Sequence, residues 1–158
     1  MSAQALYDLA PLGAVIRYSD GAPRPPERHV QKLRAWKRRN GQGRLVEKTP
    51  EKVRPTYTSP AGFALHEGDY GSDGTVVLSV RGIYDVHSSL IFDVVSVPPA
   101  GSVLCLTGFD GSVELQHLAV DREAAVRWAA RNRYSGLWFE VVLADGAHAR
   151  VGLELEAA

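Results

Sequence analysis

The chain has 158 residues, 45% of them hydrophobic and 23% charged, with a formal net charge of zero; that balance suits one soluble domain with a buried core and excludes wholesale disorder. No apolar run approaches the roughly 20 residues that a membrane helix needs, and the opening Met1-Ser2-Ala3-Gln4 lacks the basic start and apolar core of a secretory signal. The single cysteine, Cys105, excludes an internal disulfide and any multi-cysteine zinc or iron–sulfur site within one chain, and points to a reducing cytoplasm.

Zero net charge hides a division. Residues 1–54 carry twelve Lys and Arg against five Asp and Glu, whereas residues 55–158 carry six against thirteen. A basic N-terminal segment thus precedes an acidic, β-rich one. Summed fields of this kind steer opposite charges to each pole. The partners they suggest are a nucleic acid, an acidic protein surface, or another copy of the same chain.

The first third reads as strand, turn, helix, strand. Residues 14–18 are short and β-branched, and Ser19-Asp20-Gly21 is turn chemistry. A helix is predicted over about 26–40, because Pro26 suits a first helical position and Asn40-Gly41 suits a stop with glycine in the left-handed conformation. At 100° per residue Val30, Leu33 and Trp36 share one side, with Arg28, Lys32, Arg38 and Arg39 opposite and Arg34 toward an edge. That pattern predicts a helix packed on a core with its charge toward water. Residues 44–60, with Pro50, Pro55 and Pro60, read as an irregular connector holding at most a short strand at 44–47. The glycine-rich residues 66–74 read as a mobile loop.

Strands are then predicted at 75–80, 89–97, 102–107 and 112–118, with Phe109-Asp110-Gly111 as a hairpin signal between the last two. Asp121 caps a helix over about 121–132 whose apolar stripe is Ala125, Trp128 and Ala129. Residues 137–143 and 149–155 alternate cleanly on either side of Ala144-Asp145-Gly146, the mark of a hairpin. The expected fold is therefore α+β: a single domain over 1–158, with a largely antiparallel sheet of about seven strands and two helices.

Chemistry concentrates in the basic helix. Arg24, Arg28, Lys32, Arg34, Lys37, Arg38, Arg39 and Arg44 are spaced to meet a row of phosphates, and arginine also forks onto phosphate or guanine. Arg28, Lys32, Arg34, Lys37, Arg38, Arg39 and Arg44 form the expected anion- or partner-binding set. No helix-turn-helix pair, zinc-finger spacing or aromatic ribonucleoprotein motif accompanies them. Residues 66–74 lack the length and terminal glutamate of an EF-hand and the Lys-Ser/Thr of a P-loop.

Asp85, His87 and Ser88, with His117 and Cys105 elsewhere, supply the residue types of a base-activated nucleophile, but no Gly-x-Ser-x-Gly elbow is present. His117 is in phase with Val113 and Leu115 and reads as a buried, hydrogen-bonded core histidine, and Cys105 as a small buried hydrophobe. No histidine pair has i, i+4 or His-x-His spacing, so no metal site is expected; no cofactor is expected and no catalytic residue is assigned. If Leu137, Phe139, Val151 and Leu153 face inward, Trp138, Glu140, His148, Arg150 and Glu154 face outward. Trp138 then either meets a partner or is covered by a helix or strand.

The run Ala10-Pro11-Leu12-Gly13-Ala14-Val15-Ile16, the helix through Lys32-Leu33 and the stop at Asn40-Gly41 resemble the opening of ParB/sulfiredoxin-type domains, where a Pro-Leu strand start precedes a helix ending in Asn-Gly. The resemblance implies nucleotide chemistry. That family's Gly-x-x-Arg nucleotide-binding signature has no convincing counterpart; Asp121-Arg122-Glu123 occupies a similar helix start without the glycine.

The expectation is a cytoplasmic, non-enzymatic binding protein of bacterial type, using its basic helix against nucleic acid or an acidic protein surface, with self-association through opposite poles and no membrane contact. The alternatives are a small nucleotide- or phosphate-acting enzyme of ParB/sulfiredoxin-like kind, drawing on residues 66–74 or on Asp85 and His87, and an inhibitor acting on a larger protein machine.

Overall fold

In the computed structural model, which describes residues 1–152, the chain forms two compact units, Met1–Ser96 and Val97–Ala158. The first contains α1 (Ala3–Leu9), β1 (Val15–Ser19), α2 (Val30–Arg39), β2 (Gly41–Thr49), β3 (Lys52–Arg54), β4 (Tyr57–Ser59), β5 (Gly62–Ser72), β6 (Thr75–Asp85) and β7 (Ile91–Ser96). The second contains β8 (Val103–Phe109), β9 (Ser112–Ala119), α3 (Arg122–Arg131), β10 (Trp138–Val142) and β11 (His148–Val151). Within each unit the strand pairs are antiparallel, so the mixed helix and antiparallel-sheet character matches expectation. The described residues hold three helices and eleven strands, more than the two and about seven expected. Leu153, Glu154 and Leu155, assigned above to the last strand, lie outside the described residues.

In the first unit the neighbours run β6, β5, β2, β1, β7. Ile16, Tyr18, Leu45, Phe63, Leu65 and Phe92 form its core with Ala3 and Leu6 of α1. The rings lock edge to face, Phe63 at 5.3 Å and Tyr84 at 5.5 Å from Phe92, a geometry that adds to simple burial. The seven-residue α1 was not expected; two turns are too short for a helical period to stand out. Ser2 caps it, its hydroxyl accepting from the Ala5 amide at 3.2 Å.

The supposed connector 44–60 is the long strand β2 followed by the small hairpin β3–β4. Its three prolines stand between strands, after β2, in the β3–β4 turn and before β5, so they punctuate the sheet and do not dissolve it. The supposed loop 66–74 is the distal half of the β5–β6 hairpin, closed by Asp73 and Gly74 at φ 53° and 78°. Positive φ at both central residues is the two-residue hairpin turn. Glycine masked the alternation there: a Cβ on Gly71 would fall 1.8 Å from the Thr75 carbonyl oxygen, at a register shift between Tyr70 and Gly71.

In the second unit the neighbours run β11, β10, β8, β9. Ala125 and Ala129 of α3 pack on Val103, Cys105, Ala119 and Phe139. Asp121 caps α3 as expected, Oδ1 accepting from the Ala124 amide at 2.8 Å, and Asp110 and Gly111 turn the β8–β9 hairpin at positive φ. The phase of β10 holds through Leu137, Phe139 and Val141. Leu143, expected inside, is exposed because the strand ends at buried Val142. No helix among the described residues is long and apolar enough to cross a membrane.

Candidate anion-binding site

The polypeptide reaches α2 through residues 22–26 without regular structure, and a turn closed by the His29 amide on the Pro26 carbonyl (3.0 Å) precedes the first helical bond, Leu33 N–H to His29 O at 2.9 Å. The helix therefore starts at Val30, four residues later than the proline reading placed it. The residue before a proline is disfavoured in the helical region; Pro25 lies in the irregular run, and Pro26 serves only as the acceptor of the turn to His29. Its end also differs from expectation. Asn40 is extended at φ −140°, and Gly41 opens β2. Glycine is needed at 41 because a Cβ there would lie 2.7 Å from the Tyr18 hydroxyl.

The expected packing of α2 on a core is overturned. None of its residues is buried, Val30 is 56% exposed, and Leu33 and Trp36 are only half-buried. A polar clasp holds it. Trp36 Nε1 donates to Ala22 O at 2.8 Å. The buried Asn40 amide donates to Asp20 Oδ1 and Trp36 O, both at 2.9 Å, and accepts from Ser19 Oγ at 2.7 Å and the Asp20 amide at 3.3 Å. The Asn40 amide, then the Ala22 N–H and the Arg39 guanidinium, hold the Asp20 carboxyl below its usual range. Arg39 Nε stands 3.6 Å from Asp20 Oδ2.

Of the predicted cations, Arg28, Lys32, Arg34, Lys37, Arg38 and Arg39 are exposed on α2 and its approach. Arg28 Nε lies 3.3 Å from His29 Nε2. Lys32, Arg34, Lys37 and Arg38 have no ion pair among the described residues. At 100° per residue Arg34 and Arg38 point away from the Leu33–Trp36 side, with Lys32 and Lys37 flanking it. Arg44 departs from this set: it sits half-buried on β2, and its Nη1 donates to Gly13 O at 2.6 Å, a brace between backbone segments.

A shallow cleft of about 330 Å³ opens beside α2, lined by Arg17, Tyr18, Ser19, Trp36, Asn40, Gly41 and Gln42. Sequence reasoning missed Arg17 and Gln42. The signal was the alternation of β1, which buries Ile16 and Tyr18 and turns Arg17 outward. Gln42 stands directly opposite Arg17 in the β1–β2 register, with Asp93 opposite on β7. The side chains of Arg17 and Gln42 are exposed and without a hydrogen-bond or ion-pair partner among the described residues. On the other face Tyr18 donates to Glu67 Oε1 at 2.8 Å, and burial, then that bond and one with Tyr84, push its phenol pKa upward.

The remaining candidates are structural. Asp85 accepts from the His87 backbone amide at 2.8 Å and shapes a turn, with no bond to the His87 ring. His117 is half-buried, stacked on Trp128 with centroids 4.9 Å apart, and its ring has no hydrogen-bond partner among the described residues, which corrects the sequence reading; burial lowers its pKa. Cys105 is buried as expected, its thiol pushed up to about 11 by burial. Trp138 donates to Glu140 Oε1 at 3.2 Å and is overlain by Arg150 at 5.4 Å, so a side chain covers it where a helix or strand was expected to. Among the described residues no three His, Cys, Asp or Glu cluster as metal ligands would.

No curated protein and no solved structure matches the chain. A family profile matches residues 1–146, nearly the whole sequence, and the protein therefore belongs to the family described as Uncharacterised conserved protein UCP036055.

Proposed function

We propose that the protein is a non-enzymatic binding protein that grips an anionic partner with the exposed face of α2. One observation carries this reading: α2 presents Lys32, Arg34, Lys37, Arg38 and Arg39 within ten residues, has no acidic residue, and buries none of its side chains. Most protein helices persist because an apolar face is buried. This one lacks that support, and like charges at i and i+4, such as Arg34 and Arg38, cost a few tenths of a kcal/mol each. The helix dipole favours Lys37, Arg38 and Arg39 in the last turn but does nothing for Lys32 and Arg34. An anion laid along the helix removes that repulsion. A second copy of the chain is a further anionic partner, because residues 55–158 carry thirteen acidic residues against six basic ones.

The test is fluorescence anisotropy of a labelled polyanion titrated with the full chain over a range of salt. Binding is expected to weaken steeply with salt, and Arg34, Lys37 and Arg38 changed together to Ala should lower both affinity and the steepness of its salt dependence, by about 2 in log–log slope on a single strand. The melting temperature should not fall, since all three side chains are exposed and their mutual repulsion is relieved. Affinity unchanged in the triple variant would sink the reading.

A further inference from the structure

We infer that the cleft beside α2 is a nucleobase site and that the anion is a single-stranded nucleic acid; this rests on the reading of α2 as the anion grip. Most polar groups lining the cleft are already engaged. Asn40 and Ser19 bond to each other and to their neighbours, and the Tyr18 hydroxyl is taken by Glu67. Trp36 has given its N–H to Ala22, so it offers a ligand only carbon and π surface, held in a fixed pose. What is left is Arg17 and Gln42, side by side on the outward face of β1 and β2. Arginine brings a fork of donors and glutamine one donor pair and one acceptor.

A π surface next to mixed donors and acceptors matches a base, which has two faces to stack and an edge that both gives and takes hydrogen bonds. A carboxylate of an acidic peptide would use Arg17 alone and leave Trp36 and the Gln42 acceptor idle. The volume, about 330 Å³, is at the low end for ligand sites, which run from roughly 300 Å³ upward, and suits one nucleoside. Along α2, Lys32 to Arg38 spans about 9 Å at 1.5 Å per residue, so the row of cations can follow a strand past more than one of its phosphates. A duplex would meet the same cations but keeps its bases stacked and out of the cleft.

The experiment compares four labelled polyanions on the full chain at one ionic strength: an oligoadenylate of about 12 nucleotides, the same sugar-phosphate chain without bases, the oligoadenylate in a duplex, and polyglutamate of matching charge. The oligoadenylate is expected to bind about tenfold more tightly than the baseless strand. Trp36→Ala, and separately the pair Arg17→Ala with Gln42→Ala, should reduce that advantage, and Trp36→Phe should retain most of it. The sheet-face pair keeps the test open if Trp36→Ala loosens α2. Equal affinity for strands with and without bases overturns the base site, while the α2 reading survives if the Arg34/Lys37/Arg38 variant still weakens both. Polyglutamate binding as tightly as the oligoadenylate overturns it in favour of an acidic protein. Failure of every polyanion to bind overturns both readings together.

Discussion

Gly41 shows how one missing Cβ sets the geometry of the cleft. An added methyl would fall 2.7 Å from the Tyr18 hydroxyl and 2.9 Å from its ring carbon Cζ. Tyr18 has little freedom to retreat, since Glu67 holds its hydroxyl at 2.8 Å and the Tyr84 ring lies 5.4 Å away. Gly41→Ala should therefore destabilise the protein by about 1–3 kcal/mol through overpacking, read from urea unfolding midpoints at constant slope; a variant as stable as the parent would mean that Tyr18 moves freely. In the second unit, His117 makes a pH-dependent contribution. Burial against Trp128 holds its pKa below the ordinary 6.5, so the folded state favours the neutral ring. Its contribution is fully present above pH 6.5 and declines as pH falls from there to the depressed value, below which it stays level. Subtracting the stability–pH curve of His117→Gln from that of the parent should isolate this step, and a flat difference would refute it.

At the scale of elements, α2 depends on its clasp more than on its propensity. A ten-residue helix without buried residues is marginal by itself. Asn40 joins its last turn to the β1 end through four hydrogen bonds. Asn40→Ala should cost about 1–3 kcal/mol, because buried groups lose their partners, and should speed amide exchange in α2 well beyond that in β1 and β2. Equal exchange in variant and parent would mean that something else fixes the helix. The sequence disclosed α2, α3 and the β8–β9 and β10–β11 hairpins because each carries a local signal: Asp121 as a cap, Asp110-Gly111 as a turn, Leu137, Phe139 and Val141 in alternation. It concealed the β5–β6 hairpin, whose glycines interrupt the alternation, and β2, whose mixture of glycine and charge is sorted only by its neighbours β1 and β5. The basic set was legible as a list of residues. The cleft was not, since Arg17 and Gln42 become neighbours only through strand register, and the side of α2 that meets the protein is fixed by the Ala22 carbonyl and Asn40, contacts that helical periodicity cannot show.

For the molecule as a whole, the charge division is sharper in sequence than in structural units. Residues 1–54 and 55–158 differ steeply, but Met1–Ser96 carries thirteen basic and ten acidic residues and Val97–Ala158 five and eight. The basic excess therefore belongs chiefly to α2 and its surroundings, with acids such as Glu67, Asp69 and Asp73 inside the same unit. A local pole of this kind acts on another copy of the chain over a range set by salt: the Debye length is about 30 Å at 0.01 M and about 8 Å at 0.15 M. Sedimentation at low ionic strength should consequently show mass rising with protein concentration, and at about 0.15 M salt the mass should return to that of one chain. The Arg34/Lys37/Arg38 variant should remain monomeric under both conditions. Because oligonucleotide and second copy would compete for the same helix, adding the oligoadenylate at low salt should dissolve the self-associated species. If the mass is independent of salt, or if association persists in the variant, attraction between the α2 cations and the acidic residues of another copy is not what joins the chains.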